Sequence, residues 1–437
     1  MRATILSALA LAGAALAVQR RDSVLEANPN KQSKMPVVMG LKTSNFQQKQ
    51  DAGLFDPGRY KIQEATKCQG GKAGEYSCKN VDLLGHLTHE TMGSQTRAGN
   101  DIWGWTHTDG REFAIVGQTD GVAFIEVLKN GTLRYLGRLP TQTGNAIWRD
   151  IKVLNNHAYI VADAKLLDLA AWYVGFGSAH NVVVNAESQT VFVVGAGKDG
   201  LDGACKGLAG AASSNANSSS NGGLIMLDAR DPAKPKLTGC AGQDGYVHDA
   251  LAVTYQGADT RYHGREIVFG CNEDTLTIYD VTDRAAPLIL SKTTYDGFNG
   301  TGAYTHQAWP PGGNGDAHTT TYVFDVRDLT APRWTGRYKA PVKSVDHNQY
   351  VRDGLSYMAN YGSGLRVVDV SGVVADPSGR SMREVAHFDC FPDDDAEGGK
   401  PEFNGAWTAY PFFASGTVLL NCIERGVFAL KVNRGAE

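Results

Sequence analysis

The sequence predicts an all-β protein built as a β-propeller, a ring of four-stranded antiparallel sheets called blades. Two observations support this prediction. Short apolar runs bounded by Gly, Asn, Asp or Pro fill the chain after about residue 110, and no amphipathic stretch of helical length separates them. A histidine with a polar neighbour also begins several of these runs, in the segments 178–184, 246–253, 304–310 and 344–351. Such an internal repeat indicates a fold made of similar units.

The number of repeats predicts the number of blades. If residues 81–432 are divided among seven repeats, each has about 50 residues, the length of a four-stranded blade. Two repeats look incomplete, because only residues 165–177 and 311–319 remain for their missing strands. We therefore predict seven blades, and a six-bladed ring is the alternative. The innermost strands are predicted to start at 103–105, 148–150, 180–181, 248–249, 306–307, 347–348 and 404–407.

The two ends of the repeat region predict how the ring closes. The last repeat stops after the run 426–432, one strand short of a full blade. Residues 82–87 (DLLGHL) resemble the outer strand of the first repeat, 135–140 (YLGRLP), but precede any blade. We expect this N-terminal strand to complete the last blade, because a closed ring leaves no open sheet edge there.

The chain before the propeller is predicted to contain two parts. Residues 1–17 place one arginine before an apolar run that ends in Ala-Leu-Ala, which is typical of a secretory signal peptide; a buried helix is the alternative. Residues 18–80 show no sustained periodicity, so we expect an extended N-terminal arm with a small disulfide loop. The propeller covers 81–432, and residues 433–437 form a tail.

Composition narrows the class of protein. The chain of 437 residues is 42% hydrophobic and 20% charged, and its formal net charge is −4. This composition is that of an ordinary globular protein and lacks the excess positive charge typical of proteins that bind nucleic acid. After residue 17 no apolar run is long enough to span a membrane. We therefore expect a secreted, extracellular protein. Three sequons make it a candidate glycoprotein, at Asn130, Asn217 and Asn299.

Seven cysteines in an oxidising compartment should be largely paired. Two of them enclose a short loop and four others lie in or beside neighbouring strands, which leaves Cys271 as a buried free thiol. No C-x-x-C spacing supports a thiolate zinc site or a redox motif. The predicted pairs are Cys68 with Cys78, Cys205 with Cys240, and Cys390 with Cys422.

The third strand of several repeats ends in a similar way: LIMLD at 224–228, LTIYD at 276–280, YVFD at 322–325 and LRVVD at 365–369. These segments resemble the LVIVD repeat. Together with the motifs WGWTHTDGREFAIVGQ, GSAHN, NEDTLTIYDVTD and DHNQYV, they make residues 80–432 similar to the extracellular choice-of-anchor B family. The resemblance implies a secreted or surface-attached propeller and implies no activity. The chain departs from the family at the two thin repeats and at its C-terminus, which carries no anchor signal.

Four histidines occupy equivalent positions at the starts of innermost strands, which lie near the central channel of a propeller. Converging imidazoles could hold a transition metal, with neighbours such as Asn181 and Gln307 fixing their tautomers. The same histidines could instead hydrogen-bond neighbouring blades as a structural network. The candidate metal ligands are His180, His248, His306 and His347.

Aromatic and charged residues beside these histidines form a second candidate set at the mouth of the channel. Trp rings with charged side chains could hold a polar ligand or glycan by stacking and charge-assisted hydrogen bonds. Packing between blades is the alternative for the tryptophans. The members of this set are Trp103, Trp105, Trp148, Arg149, Asp150, Asp249, Asp346 and Trp407.

Two classes of function follow. The first is a non-catalytic binding or scaffold module for an extracellular glycan, peptide or protein. The second is a metal-dependent oxidoreductase or hydrolase that uses the four histidines. We favour the first, because the chain has no G-x-S-x-G nucleophile elbow and no other recognisable pair of nucleophile and general base. A transition metal is the one cofactor indicated, and no catalytic residue is assigned.

Overall fold

A computed structural model describes residues 35–142, 144–163, 176, 179–196, 205, 223–294 and 318–433. These residues form one α-helix, α1 (Met35–Asp51), two 3₁₀ helices (Thr260–Tyr262 and Pro392–Glu397) and 26 strands. The strands are β1 (Lys72–Ala73), β2 (Tyr76–Lys79), β3 (Val81–Leu87), β4 (Gly99–Thr106), β5 (Glu112–Gln118), β6 (Gly121–Val127), β7 (Leu133–Pro140), β8 (Arg149–Leu154), β9 (His157–Ala162), β10 (Asn181–Asn185), β11 (Thr190–Val194), β12 (Leu224–Asp228), β13 (Lys236–Ala241), β14 (Asp249–Thr254), β15 (Glu266–Cys271), β16 (Leu276–Asp280), β17 (Leu288–Thr293), β18 (His318–Asp325), β19 (Arg333–Lys343), β20 (Gln349–Arg352), β21 (Leu355–Ala359), β22 (Leu365–Asp369), β23 (Arg383–Phe388), β24 (Ala406–Tyr410), β25 (Thr417–Cys422) and β26 (Gly426–Val432).

These strands form antiparallel sheets in a β-propeller arrangement, as the sequence predicted. Numbered along the chain, the first sheet is β4 to β7, the third β10 to β13, the fourth β14 to β17, the sixth β20 to β23 and the seventh β24 to β26 with β3. The innermost strands β4, β8, β10 and β14 lie side by side, and β24 lies beside β4. Five blades of four or more strands are therefore present in the described residues.

The two thin repeats form sheets of two strands in the described part of the chain. The second sheet is β8 with β9, and the fifth is β18 with β19. Residues 164–175 and 295–317, where further strands of these repeats were expected, lie outside the described residues. The count of seven blades stays a prediction.

The ring closes through the N-terminal strand, as the sequence predicted. β3 pairs antiparallel with β26, so that Val81 lies opposite Val432 and Leu87 opposite Val427. The outer edge of the seventh sheet is thus covered by a strand from the other end of the repeat region. This pairing joins residues more than 300 positions apart in the sequence.

The prediction of an extended N-terminal arm is wrong for residues 35–51, which form helix α1. The buried positions of α1 are Met35, Val38, Lys42 and Lys49, spaced as one face of a helix. After α1, the hairpin of β1 and β2 adds to the sixth sheet, where Cys78 lies opposite Phe388. The arm is thus part of the packed structure.

Apolar side chains from facing sheets form the core. Between the sixth and seventh sheets, Val367 and Phe388 pack with Leu420 and Phe428, and all four side chains are fully buried. Alternating side chains point to opposite faces of each sheet, so every blade contributes to two such layers. The core therefore runs around the ring.

All three predicted disulfide pairs are confirmed. Their Cα–Cα distances are 5.9 Å for Cys68 with Cys78, 6.0 Å for Cys205 with Cys240 and 6.6 Å for Cys390 with Cys422. Cys271 is a free, half-buried thiol, and burial raises its pKa to about 12. Among the helices in the described ranges, none has the length and apolar character needed to cross a membrane.

Candidate functional site at the channel mouth

The starts of the innermost strands meet at one end of the ring and line a small cavity, which we call the channel mouth. The strands that lead to it begin at Arg149, Asn181, Asp249 and Gln349. β8, β10 and β14 run side by side, and β20 connects to them through β24 and β4, so the residues around their starts come together. The lining residues are Trp148, Arg149, Asp150, His180, Asn181, His248, His347, Asn348 and Trp407.

The cavity at the channel mouth is narrow. It leaves about 10 Å³ for the centre of a water molecule, which is close to the minimum that one water needs. With the chain in this conformation, a ligand much larger than water must displace protein groups to enter. The segment that covers the channel mouth, helix α1, is therefore part of the site.

Three of the four candidate metal ligands, His180, His248 and His347, line the channel mouth. The rings of His180 and His248 meet edge to face with 4.3 Å between their centroids. Nδ1 of His180 lies 3.3 Å from a carboxylate oxygen of Asp163, whereas Nδ1 of His347 lies 2.5 Å from the main-chain oxygen of Trp407.

Burial holds the pKa of His347 well below its usual range, and the nearby Lys42 lowers it further. In the described ranges, no three His, Cys, Asp or Glu side chains are grouped so that they could hold a metal ion. His306 lies outside those ranges. The contact of His347 with the seventh sheet is a hydrogen bond between neighbouring sheets. The alternative interpretation of the histidines, a structural network, predicts bonds of this kind.

The charged residues of the channel mouth link neighbouring sheets. Arg149 donates hydrogen bonds to the main-chain oxygens of Gln118 and Thr119, at 2.9 and 3.1 Å, and burial lowers its pKa to about 10. Asp150 accepts a hydrogen bond from the amide of Val182 at 2.7 Å. These groups are already bonded within the protein, so they stabilise the mouth more than they offer free bonds to a ligand.

Asp101 and Asp249 occupy positions related to Asp150 by the repeat, whereas Asp346 precedes the histidine of its own repeat. Asp101 accepts a hydrogen bond from the amide of Ile151 at 2.8 Å, in the same way that Asp150 bonds the next sheet. Asp346 accepts one from the amide of Thr320, also at 2.8 Å. Burial raises the pKa of Asp249 to about 6 and that of Asp346 to about 7. Asp249 and Asp346 do not line the cavity.

Trp103 and Trp105 do not reach the channel mouth, which corrects the sequence interpretation. β4 begins at Gly99, so the tryptophans lie further along the strand than expected. The ring of Trp103 packs edge to face on Tyr350 and Tyr410, with centroids 5.7 and 5.3 Å apart. Trp105 is half-buried and donates a hydrogen bond from Nε1 to Asn156 at 2.9 Å.

Helix α1 lies over the channel mouth and inserts Lys42 between aromatic rings. The side chain is 3% exposed, and among the described residues Nζ has no hydrogen-bond partner. Burial lowers its pKa from the ordinary 10.5 to about 7, and the charge of Asp163 opposes this shift. Nζ lies 5.2 to 5.8 Å from the centroids of four rings, which we call the cage: Trp148, Tyr361, Phe403 and Trp407.

A second lysine of α1 is buried in a different way. Nζ of Lys49 lies 2.7 Å from Oε1 of Glu424, and it also donates a hydrogen bond to the main-chain oxygen of Phe403. The other carboxylate oxygen of Glu424 accepts a hydrogen bond from the amide of Gly405 at 2.9 Å. At the opposite end of α1, the amide of Met35 donates to Glu273 at 3.1 Å. The helix therefore contacts both the fourth and the seventh sheets.

Sequence reasoning missed α1, and with it Lys42, Lys49 and the two cage residues Tyr361 and Phe403. It also missed a larger cavity of about 320 Å³ beside the second half of α1. Phe46 and Phe55 line that cavity on the N-terminal side, and loops of the first sheet line the other side. The sequence of α1 carries no amphipathic signal, because lysines stand at two of its four buried positions.

Of the candidate glycosylation sites, Asn130 lies exposed in the turn after β6. Asn217 and Asn299 lie outside the described residues, as do residues 1–17 and most of the predicted tail.

No protein-family model matches this sequence, and no curated protein matches it. The chain is similar in structure to BBS1N, solved in a crystal structure of BBS1N in complex with ARL6DN. The two share 9% sequence identity over 78% of this chain and 93% of that one, with a TM-score of 0.43. A likeness this weak bears on no functional argument.

Proposed function

We propose that the protein is a secreted binding module that uses the channel mouth of its propeller to hold a peptide segment of a protein partner. One observation carries the proposal: a peptide segment, α1, already occupies this surface. Glycan and folded-protein partners were left open by the sequence. The docked helix favours a peptide.

The way in which α1 docks is typical of recognition. Its buried face carries two lysines where a helix packed only for stability would carry Leu or Ile. Buried charges matched by a specific partner add little net stability compared with apolar residues, but they favour one geometry over others. Lys49 has such a partner in Glu424, and Lys42 has four aromatic rings.

The connection between α1 and the propeller also suits an exchangeable segment. α1 pairs with no strand, and residues 56–59 that follow it are exposed. The segment is therefore tied to the channel mouth by side chains and a few main-chain bonds.

The extracellular setting rests on two supports. Three disulfides fit an oxidising compartment, and residues 1–17 have the pattern of a signal peptide. Three of the four segments that resemble the LVIVD repeat form β12, β16 and β22, each the third strand of its blade, and the fourth, 322–325, lies in β18. These positions support the proposal that the chain is a choice-of-anchor B propeller with seven blades.

The experiment is a cleavage and rebinding assay on the folded protein. A protease site is inserted in the exposed segment 57–59, the folded chain is cut there, and a labelled peptide of residues 35–57 is titrated by fluorescence anisotropy. We expect reversible binding with a dissociation constant on the order of micromolar. A scrambled peptide and an uncut chain serve as controls.

A fragment that cannot be exchanged, or a propeller that unfolds once α1 is released, would contradict the proposal. In either case α1 is a structural element of the core. The metal-dependent alternative stays a prediction from the sequence, because the arrangement of His306 is not described. Elemental analysis of chelator-free protein, compared with a His180→Ala/His347→Ala variant, tests it separately.

A further inference from the structure

We propose that the cage is a binding site for a methylated ammonium group, such as a methylated lysine of a partner peptide, and that Lys42 occupies it from within the chain. This inference rests on the proposed function, since it names the chemistry that the channel mouth recognises.

All four rings of the cage belong to the propeller and none belongs to α1. Trp148 precedes β8, Tyr361 follows β21, and Phe403 and Trp407 lie at the start of the seventh sheet. Their rings contact one another, with centroids 6.4 Å apart for Trp148 and Trp407 and 5.3 Å apart for Tyr361 and Phe403. The ring of His347 packs at 4.8 Å from both Tyr361 and Trp407. Such contacts fix the rings before a ligand arrives.

The four rings are suited to a cation. The face of an aromatic ring carries partial negative charge, and a cation within about 6 Å of the ring centroid is attracted to it. Nζ of Lys42 meets this condition for all four rings, at 5.7 Å for Trp148, 5.8 Å for Tyr361, 5.5 Å for Phe403 and 5.2 Å for Trp407.

The primary ammonium of Lys42 is a poor match for this environment. It carries three N–H donors, yet among the described residues no acceptor bonds to Nζ. A buried donor without an acceptor destabilises the bound state. A trimethylated ammonium keeps the charge and has no N–H to satisfy, so it leaves no donor without an acceptor when it enters the cage. The geometry thus favours a methylated ligand over the lysine that fills the cage here.

The first test uses the full chain with Lys42→Ala, which should empty the cage while Lys49 still holds α1. Tetramethylammonium chloride is titrated by calorimetry, with tert-butanol as a neutral molecule of the same size and sodium chloride as a salt control. We expect tetramethylammonium to bind at least tenfold more tightly than tert-butanol, because a desolvated cation gains from the ring faces. The preference should disappear in Lys42→Ala/Trp407→Leu, which lacks the nearest ring.

The second test uses the native propeller, so it does not depend on the folding of these variants. In the cleavage and rebinding assay, a peptide of residues 35–57 with trimethyllysine at position 42 is compared with the unmodified peptide. We expect the trimethylated peptide to bind several-fold more tightly. Free choline should compete with both peptides if the cage binds the ammonium group alone. Choline should compete with neither peptide if binding in the cage also needs the peptide.

The outcomes separate this inference from the proposed function. If the unmodified peptide rebinds but trimethylation weakens it, the channel mouth binds peptides and the inference about the cage is wrong. If tert-butanol binds Lys42→Ala as well as tetramethylammonium does, the cage is an ordinary apolar cavity and the inference is also wrong. If neither peptide rebinds but tetramethylammonium binds Lys42→Ala, the cage stands and the peptide function fails.

Discussion

Replacing Lys49 by methionine should release α1 from the channel mouth without unfolding the propeller. Methionine keeps the apolar stem of the side chain and removes the ammonium that lies 2.7 Å from Glu424. The two side chains are 6% and 0% exposed, so water does not replace the lost partner. Glu424 would retain its hydrogen bond from the amide of Gly405 but would be left as a buried carboxylate without a counter-charge.

The size of the effect follows from the burial of this pair. Removing one partner of a buried ion pair typically costs about 3–5 kcal/mol. Since about 1.4 kcal/mol corresponds to a factor of ten, α1 should open about 10² to 10⁴ times more often. The cost falls on the docked state of the helix, because undocking returns Glu424 to water while the strands stay paired.

Hydrogen exchange measured by mass spectrometry tests this prediction. Peptides that cover residues 35–51 report the opening of α1, and peptides from β25 report global unfolding. Lys61→Met, which removes an exposed lysine from the same arm, is the matched control. In the double variant Lys49→Met/Glu424→Gln, the buried carboxylate is removed together with its partner. The increase in the opening of α1 should therefore be smaller in the double variant than the sum of the increases, as free energies, in the two single variants.

Two results would refute the reasoning. Exchange in α1 that stays within threefold of the wild type would mean that the pair contributes little to docking. Exchange that rises equally in α1 and β25 would mean that the helix opens only when the whole propeller unfolds.

Three further predictions concern the same helix and the ring it covers. Docking lowers the pKa of Lys42 from 10.5 to about 7, so undocking takes up a proton between these pH values. The opening constant of α1, obtained by dividing each exchange rate by the intrinsic amide exchange rate at that pH, should rise by at most tenfold per pH unit as the pH falls from 10 to 7, and Lys42→Met should remove this dependence. Gly40→Ala should slow exchange in α1 about fivefold, because a Cβ at this helical position meets no atom within 4 Å and alanine stabilises a helix by about 1 kcal/mol over glycine. Replacing Cys390 and Cys422 by alanine should lower the free energy of unfolding by about 3–4 kcal/mol for a loop of 32 residues, measured by denaturant titration, whereas an unchanged midpoint would show that the disulfide does not restrain the unfolded chain.

Most of the propeller could be predicted from the sequence because its strands are short apolar runs between turn residues. The closing strand β3 was predictable for the same reason, since its sequence resembles the outer strand of the first repeat and the last repeat is one strand short. Helix α1 was not predictable by that reasoning. Its buried positions have helical spacing, but lysines stand at 42 and 49 where an apolar residue is expected. Lysines can be buried at these two positions because the cage surrounds Lys42 and Glu424 pairs with Lys49. The residues of the cage and Glu424 are far from α1 in the sequence, so local patterns do not indicate them.

The position of a site residue was more predictable than its contacts. Equivalent places in a repeat brought His180, His248 and His347 to one cavity. Their partners differ, because the surrounding loops are not repeated: a carboxylate faces His180 and a main-chain oxygen faces His347. The first repeat was misaligned for a related reason. A β-bulge between Gly99 and Ile102 shifts β4, so the strand begins four residues before Trp103.

The two buried lysines of α1 hold the helix with unequal strength, and this difference bears on how a ligand could enter. Lys49 has an ion pair and a main-chain acceptor, whereas Lys42 has ring faces and, among the described residues, no acceptor. A ligand that competes for the cage therefore needs to overcome only the weaker of the two attachments. We expect exchange at the cage before release of the helix, because displacing Lys42 leaves the ion pair of Lys49 with Glu424 intact. A partner that also offers a cation to Glu424 would favour full release, which would make recognition depend on two positive groups spaced two helical turns apart.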